Sequence, residues 1–78
     1  MALVLTDQAK SDLSTIYDPV RSKIEREFRN IEMWPTSNPD LSFGRRYCPV
    51  SPFVIIYSIT PNDDIIIEQI VHERSNWK

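Results

Sequence analysis

Two apolar runs in the second half of the chain, PFVIIYSI and DIIIEQIVHER, constrain the fold most strongly, because only TPND separates them. Runs of this length that are rich in Ile, Val, Phe and Tyr are typical of β-strands, and a short turn-rich gap joins two of them into a hairpin. The preceding RRYCPV predicts a third strand, which Pro49 and Pro52 restrict to a short or edge position. These three strands are expected to form an antiparallel meander.

Alternation along the last predicted strand divides its side chains between the two faces of the sheet. One face is expected to carry Ile65, Ile67, Gln69 and Val71, and the other Ile66, Glu68, Ile70 and His72. Both groups include apolar residues, so we expect helices to leave some apolar sheet for a partner to cover.

The first half of the chain predicts a short strand followed by two amphipathic helices. ALVL is an apolar run, and Thr6 after it is expected to be the N-cap of a helix, with Asp7 favoured by the helix dipole. The spacing of the apolar residues indicates one helical face. This face comprises Ala9, Leu13, Ile16 and Tyr17.

Asp18 and Pro19 interrupt this helix and begin the next, with Asp18 as the expected N-cap and Pro19 at the first helical position. The core face of the second helix is predicted to carry Val20, Ile24, Phe28 and Ile31. We expect a solvated cationic face, paired with Glu25 and Glu27, formed by Arg21, Lys23, Arg26 and Arg29. PTSNPDLS then predicts a loop.

The predicted fold is α+β, a single domain over residues 1–78 with the order β-α-α-β-β-β. An antiparallel sheet is expected to be covered on one face by a helical hairpin. A chain of 78 residues is near the lower size at which one core folds unaided, so a partner that completes the core would matter.

Charge and cysteine content limit the classes of function. The net charge of −2 and pI of about 5.2 give no overall excess of cations for non-specific nucleic-acid binding. Cys48 is the one cysteine, which excludes an internal disulfide and a cysteine-based metal cage. We expect no metal or cofactor. The sequence has no signal peptide and no long apolar stretch, so a cytoplasmic, non-membrane protein is expected.

The order of elements and three motifs resemble the RelE/ParE superfamily of small bacterial toxins from type II toxin–antitoxin systems. LTDQAKSDLSTIYD is similar to the first helix of that superfamily, and PFVIIYSI to its strand ending in Tyr, here Tyr57. IIIEQIVHERSNW is similar to the closing strand of the ParE branch (the plasmid-stabilisation type), with its His, Arg and Trp.

This resemblance implies a cognate antitoxin that neutralises the protein. The ParE branch implies inhibition of DNA gyrase by binding, whereas the RelE branch implies cleavage of messenger RNA on the ribosome by basic sheet residues and a C-terminal aromatic residue. A third alternative is an inactive member that only binds its antitoxin.

The ribonuclease set is incomplete here. Arg74 matches an arginine of that branch, but Val54 stands where the branch tends to have another, and no tyrosine follows the last strand. If the protein were a ribonuclease, its candidate catalytic residues would be Arg45, Arg46, His72 and Arg74. We therefore interpret the chain as a ParE-like inhibitor. Its candidate contact residues are Arg45, Arg46, His72, Arg74 and Trp77. The three arginines could form a small basic cluster on the sheet, and the alternative is that Arg45 and Arg46 are two solvated charges on an edge strand.

Several of these side chains also have a purely structural interpretation. His72 is expected to be a hydrogen-bonded histidine at a strand end, and Trp34 a cap over the core. Tyr17 and Tyr57 are expected at the core edge with their hydroxyls in water. Cys48 is expected to be inert.

Overall fold

The computed structural model describes residues 2–41 and 44–77. The elements are β1 (Leu3–Leu5), α1 (Asp7–Ser14), α2 (Val20–Met33), β2 (Arg45–Val50), β3 (Phe53–Ile59) and β4 (Ile65–His72). This α+β order confirms the predicted order. Neither described helix is long and apolar enough to cross a bilayer.

The four strands form one sheet in the order β1-β4-β3-β2. Strands β2, β3 and β4 make the predicted antiparallel meander. β1 is parallel to β4, with Leu3 opposite Ile65 and Leu5 opposite Ile67, so the sheet is mixed. The prediction of an antiparallel sheet was therefore wrong for β1. The helices between β1 and β2 carry the chain from one edge of the sheet to the other. Parallel strands require a long crossover connection of this kind.

Both helices pack on one face of the sheet, as predicted. They contribute to the core Ala9, Leu13, Ile24, Phe28 and Ile31, and the connection between them contributes Ile16. The sheet contributes Cys48, Val50, Ile55, Tyr57, Ile65, Ile67 and Ile70. Tyr17 is 81% exposed, which corrects its assignment to the core edge. Because α1 ends at Ser14, its helical periodicity does not extend to Tyr17.

The helix starts follow the sequence closely. Thr6 caps α1 as predicted, with its Oγ1 accepting the Ala9 N–H at 3.1 Å. At α2 the cap position belongs to Pro19, one residue later than expected. The Asp18 carboxylate still accepts hydrogen bonds from the backbone N–H and hydroxyl of Ser22, at 3.1 and 2.6 Å.

The β3–β4 pairing contains a bulge that the alternation did not predict. Ile56 is opposite Gln69 and Tyr57 is opposite Ile67, which leaves Glu68 as the extra residue. A one-residue insertion exchanges the faces beyond it. The helix-covered face therefore receives Ile65, Ile67, Ile70 and His72, and the open face Ile66, Gln69 and Val71, so the predicted faces were wrong from residue 69 onward.

Side chains at the start of α1 satisfy the backbone groups around this bulge. β1 ends at Leu5, opposite Ile67. Just beyond it the Glu68 carbonyl accepts the Thr6 hydroxyl at 2.7 Å, and the Ile70 N–H donates to Asp12 Oδ2 at 3.0 Å. Helix α1 thus contacts the edge of β4 beyond the point where its pairing with β1 ends.

β2 is an edge strand, as its prolines predicted. Part of its outer edge is covered by the preceding loop, where the Tyr47 N–H donates to the Pro39 carbonyl at 3.2 Å and the Leu41 N–H to the Arg45 carbonyl at 2.7 Å. Pro49 further along has no N–H to offer. The covered edge is protected from pairing with another chain.

Replacing Asp12 tests the contact between α1 and the bulge. Asp12→Ala leaves the Ile70 N–H without its acceptor and should lower the free energy of unfolding by roughly 1–3 kcal/mol. The control Gln8→Ala removes only an exposed hydrogen bond to the other carboxylate oxygen, at 2.8 Å, and should cost less than about 0.5 kcal/mol. Urea unfolding measures both, and equal losses would contradict the proposed role of Asp12.

Candidate partner-binding site

The predicted contact residues do not form one cluster, because the arginines of β2 and His72 lie toward opposite ends of the sheet. Arg45 is opposite Ser58, which in turn is opposite Ile66, whereas His72 is opposite Phe53. Along β3, five positions separate Ser58 from Phe53, which is about 17 Å at 3.3 Å per residue. Arg74 follows His72 at the far end.

The expected cluster of Arg45, Arg46 and Arg74 was therefore wrong. Neighbouring residues of a strand point to opposite faces, so Arg45 and Arg46 are divided between the two sides of β2. In addition, β3 lies between β2 and β4.

Arg46 holds the loop that follows α2. Its Nη1 donates to the Asn38 carbonyl at 2.7 Å and to the Thr36 carbonyl at 3.3 Å, and lies 3.2 Å from Asp40 Oδ1. These bonds give the guanidinium a structural role on the helix-covered side of the sheet.

Arg45 lies on the open face beside the bulge. Its Nη1 is 4.0 Å from Glu68 Oε1, and both side chains are about one-third exposed, at 31% and 32%. A pair with this geometry and exposure is weak, so a partner's carboxylate can compete for the arginine.

His72 begins the turn after β4. Its Nδ1 accepts the Arg74 N–H at 3.2 Å, and its ring meets Phe53 edge-on with centroids 5.8 Å apart. The His72 carbonyl also accepts the Ser75 N–H and hydroxyl, at 2.9 and 2.6 Å. These contacts match the interpretation of a hydrogen-bonded histidine at a strand end.

The C-terminal segment folds back over the sheet. The Glu73 N–H donates to the Pro52 carbonyl at 2.8 Å, which ties the segment to the β2–β3 turn. Trp77 Nε1 donates to the Glu73 carbonyl at 3.1 Å, and the indole contacts Tyr47 with centroids 5.1 Å apart and planes inclined by 54°. The chain end is thus part of the folded surface.

We call the surface formed by Tyr47, Val54, Ile56, Val71 and Trp77 the tail face. Val54 and Ile56 are only 2% and 0% exposed, although the helices lie on the other side of the sheet. Cross-strand neighbours enclose them: Tyr47 is opposite Ile56, and Val71 is opposite Val54. The segment that ends in Trp77 adds a lid that alternation alone did not reveal.

Tyr57 anchors the loop from the core side. It is 0% exposed, which corrects its predicted position at the core edge. Its hydroxyl donates to the Pro35 carbonyl at 2.7 Å and accepts the Asn38 side-chain N–H at 3.1 Å, so the hydroxyl is bonded to the loop. Burial raises the pKa of Tyr57, while the Asn38 hydrogen bond and the Arg46 charge oppose that shift.

Cys48 is buried and neutral. Its Sγ donates to Glu27 Oε2 at 3.2 Å. Burial, with the hydrogen bond and negative charge of Glu27, raises the pKa of the thiol to about 12. A thiol without thiolate character is a poor nucleophile, which matches the inert interpretation.

Trp34 is turned outward. It was expected to cap the core, but it is 65% exposed, and the preceding Met33 is 69% exposed. Trp34 is the C-cap of α2 with φ −134° and ψ 64°, a non-helical conformation that takes its side chain off the core face.

Within the part of the chain that the structure describes, no pocket is enclosed and no group of three His, Cys, Asp or Glu side chains could hold a metal ion.

A mixed sheet covered by a helical hairpin is the architecture of RelE-type toxins. The fold matches a chain of the intact Escherichia coli RelBE toxin–antitoxin complex with a TM-score of 0.80 at 10% identity, covering 91% of this chain and 94% of that one. A RelBE complex from Mycobacterium tuberculosis gives 0.80 at 14% identity, with coverages of 91% and 95%. The isolated E. coli RelE toxin gives 0.78 at 13% identity, with coverages of 96% and 87%.

The sequence specifies the family more closely. The model of the ParE toxin of type II toxin–antitoxin systems, parDE, matches residues 3–77. The chain therefore belongs to the ParE toxin family. No curated protein matches the sequence.

Alkaline conditions should destabilise the fold through Cys48. Above about pH 9 the unfolded chain loses the thiol proton while the folded chain keeps it, so the free energy of unfolding falls with rising pH up to about pH 12. Cys48→Ser keeps a donor for Glu27 but does not ionise, and should reduce this fall. Urea unfolding from pH 8 to pH 10.5 measures it. Parallel curves for both proteins would exclude Cys48 as the cause, and Tyr57 accounts for a residual slope.

The two tryptophans offer a matched test of the tail face. Trp77→Ala removes the lid beside Tyr47 and should lower the free energy of unfolding by roughly 1–2 kcal/mol. Trp34→Ala at an exposed site should change it by less than about 0.5 kcal/mol. Thermal unfolding of both variants tests this expectation, and the reverse order of effects would contradict the described packing.

Proposed function

We propose that the protein is a toxin held inactive by a cognate antitoxin, and that it acts by binding DNA gyrase rather than by cutting RNA. Membership of the ParE toxin family supports the toxin assignment. Chains of similar fold occur in the E. coli, M. tuberculosis and Methanococcus jannaschii toxin–antitoxin complexes, which supports an antitoxin partner for this chain.

The separation of the candidate ribonuclease residues carries the choice of mechanism. RNA cleavage needs a base for the 2′-hydroxyl, cations for the phosphorane and an acid for the leaving oxygen, all around one phosphate. Arg45 and Arg46 are about 17 and 13 Å from His72 along the sheet, and they lie on opposite faces of β2. A single phosphate does not reach both ends.

The individual contacts support the same choice. Arg46 is bonded to the loop carbonyls and to Asp40. At the position where the ribonuclease branch tends to have an arginine, Val54 is 2% exposed within the tail face. Binding needs no such convergence, because each residue contributes to a contact where it lies.

We assign the contact to the tail face, where Arg45 and Trp77 lie, and to the adjoining end of the sheet, where His72 and Arg74 lie. His72 and Arg74 are exposed, while Trp77 presents an aromatic surface beside Tyr47. Arginine and tryptophan are the residues most often found at interface hot spots. Arg46, the fifth predicted contact residue, has the loop-holding role instead.

Two assays test the mechanism, one on the purified protein and one in cells that express it. Gyrase supercoiling should be inhibited, and Arg74→Ala should weaken inhibition about tenfold or more, because it removes an exposed cation without a described side-chain contact. Lys10→Ala, an equal loss of charge on α1, should leave inhibition unchanged.

Primer extension on messenger RNA after induction should show no codon-specific cuts. Cuts that Arg74→Ala abolishes would instead establish a ribosome-dependent ribonuclease. Antitoxin binding without gyrase inhibition, cuts or growth arrest would identify an inactive member.

A further inference from the structure

Helix α2 carries an exposed ridge that the proposed gyrase contact does not use. Arg26, Arg29 and Met33 recur at spacings of three and four on the side opposite the core residues Ile24, Phe28 and Ile31. Trp34 follows directly. We call these four residues, Arg26, Arg29, Met33 and Trp34, the α2 ridge.

The apolar end of the ridge is unusual for a solvated surface. Met33 and Trp34 are 69% and 65% exposed, and they are adjacent. Tyr17, at the opposite end of α2, and Val4, on β1, are the other large apolar side chains exposed among the described residues. A methionine beside a tryptophan combines an adaptable side chain with a large rigid one, which suits a binding anchor.

Bonds to the surrounding loop fix this exposure. The Trp34 N–H donates to the Asn30 carbonyl at 2.8 Å, and the Trp34 carbonyl accepts the Ser37 N–H and hydroxyl at 3.2 and 2.8 Å. The next carbonyl, that of Pro35, accepts the buried Tyr57 hydroxyl at 2.7 Å. The backbone that presents the indole is thus held by the core, which lowers the entropy lost on binding.

The two arginines of the α2 ridge are in none of the described ion pairs. Among the described residues, 2–41 and 44–77, the ion pairs within 4.0 Å are Arg45 with Glu68 and Arg46 with Asp40. The predicted pairing of the α2 cations with Glu25 and Glu27 was therefore wrong. Glu27 instead accepts hydrogen bonds from Cys48 and from Asn30. Arg26 and Arg29 are therefore exposed cations outside these ion pairs, and Glu25 and Glu32 are exposed near Arg29 on the same helix.

We propose that the α2 ridge docks an acidic segment of the antitoxin, with an apolar side chain on Met33 and Trp34 and carboxylates on Arg26 and Arg29. This inference rests on the proposed function for the existence of that partner. Arg26 and Trp34 are eight residues apart, about 12 Å along the helix, which two turns of a partner helix match.

The probe is the product of the reading frame next to the toxin gene, which the proposed function takes to be the cognate antitoxin. The toxin is labelled with 5-fluorotryptophan. Its two fluorine signals report Trp34 and Trp77 separately, and the Trp34 signal is assigned by its loss in Trp34→Phe. The Trp34 signal should shift on binding. Trp34→Ala should weaken affinity about 10–100-fold, and R26E/R29E at least tenfold with a shallower salt dependence.

The control is Lys10→Glu, the same type of charge reversal on α1, which should leave affinity within about twofold. The variants change exposed side chains, and circular dichroism verifies their folding. A complex with an unmoved Trp34 signal and unaffected ridge variants would overturn the inference and leave the toxin–antitoxin assignment intact. No complex at all would reject the assignment and the inference with it.

Two further outcomes would also overturn it. A Trp34 shift caused by duplex DNA but not by antitoxin would assign the ridge to nucleic acid. A Trp34 shift with protein concentration alone, matched by sedimentation of a dimer that Trp34→Ala abolishes, would assign it to a second copy of the chain.

Discussion

The contact of α1 with the β4 bulge determines how the molecule is arranged. Thr6 donates to the Glu68 carbonyl and Asp12 accepts the Ile70 N–H, just where β1 no longer covers the strand. Thr6 also caps α1, so a single side chain fixes the helix start and the bulge. The bulge then directs Ile70 and His72 toward the helix-covered face.

Local patterns predicted the elements, and they did so for physical reasons. Apolar spacing indicated α2, a turn-rich gap indicated the β3–β4 hairpin, and Thr6 had the chemistry of an N-cap. The bulge was missed because it depends on contacts between residues 62 and 58 positions apart, Thr6 with Glu68 and Asp12 with Ile70. No periodicity within β4 contains that information.

The arrangement of the candidate site was not predicted correctly from the sequence. Adjacent arginines in RRYCPV suggested a basic cluster, but strand geometry divides Arg45 from Arg46 and the meander separates both from Arg74. The expected packing of Trp34 was also wrong. Local backbone geometry explains the position of Trp34, which leaves the helical conformation at the C-cap of α2. At Trp77, a hydrogen bond from the indole to the Glu73 carbonyl holds the ring against Tyr47.

The positions of the two surfaces favour different kinds of partner. The tail face lies on the side of the sheet away from the helices, whereas the α2 ridge lies on the outer side of a helix that covers the opposite face. The molecule measures 32 × 23 × 22 Å, and about ten extended residues span its longest dimension at 3.3 Å each. A flexible segment can therefore pass around the domain and occupy both surfaces, whereas a rigid globular target meets one. A wrapping antitoxin would block the tail face and gain further affinity from the α2 ridge. Its affinity would then exceed that of a target that binds the tail face alone.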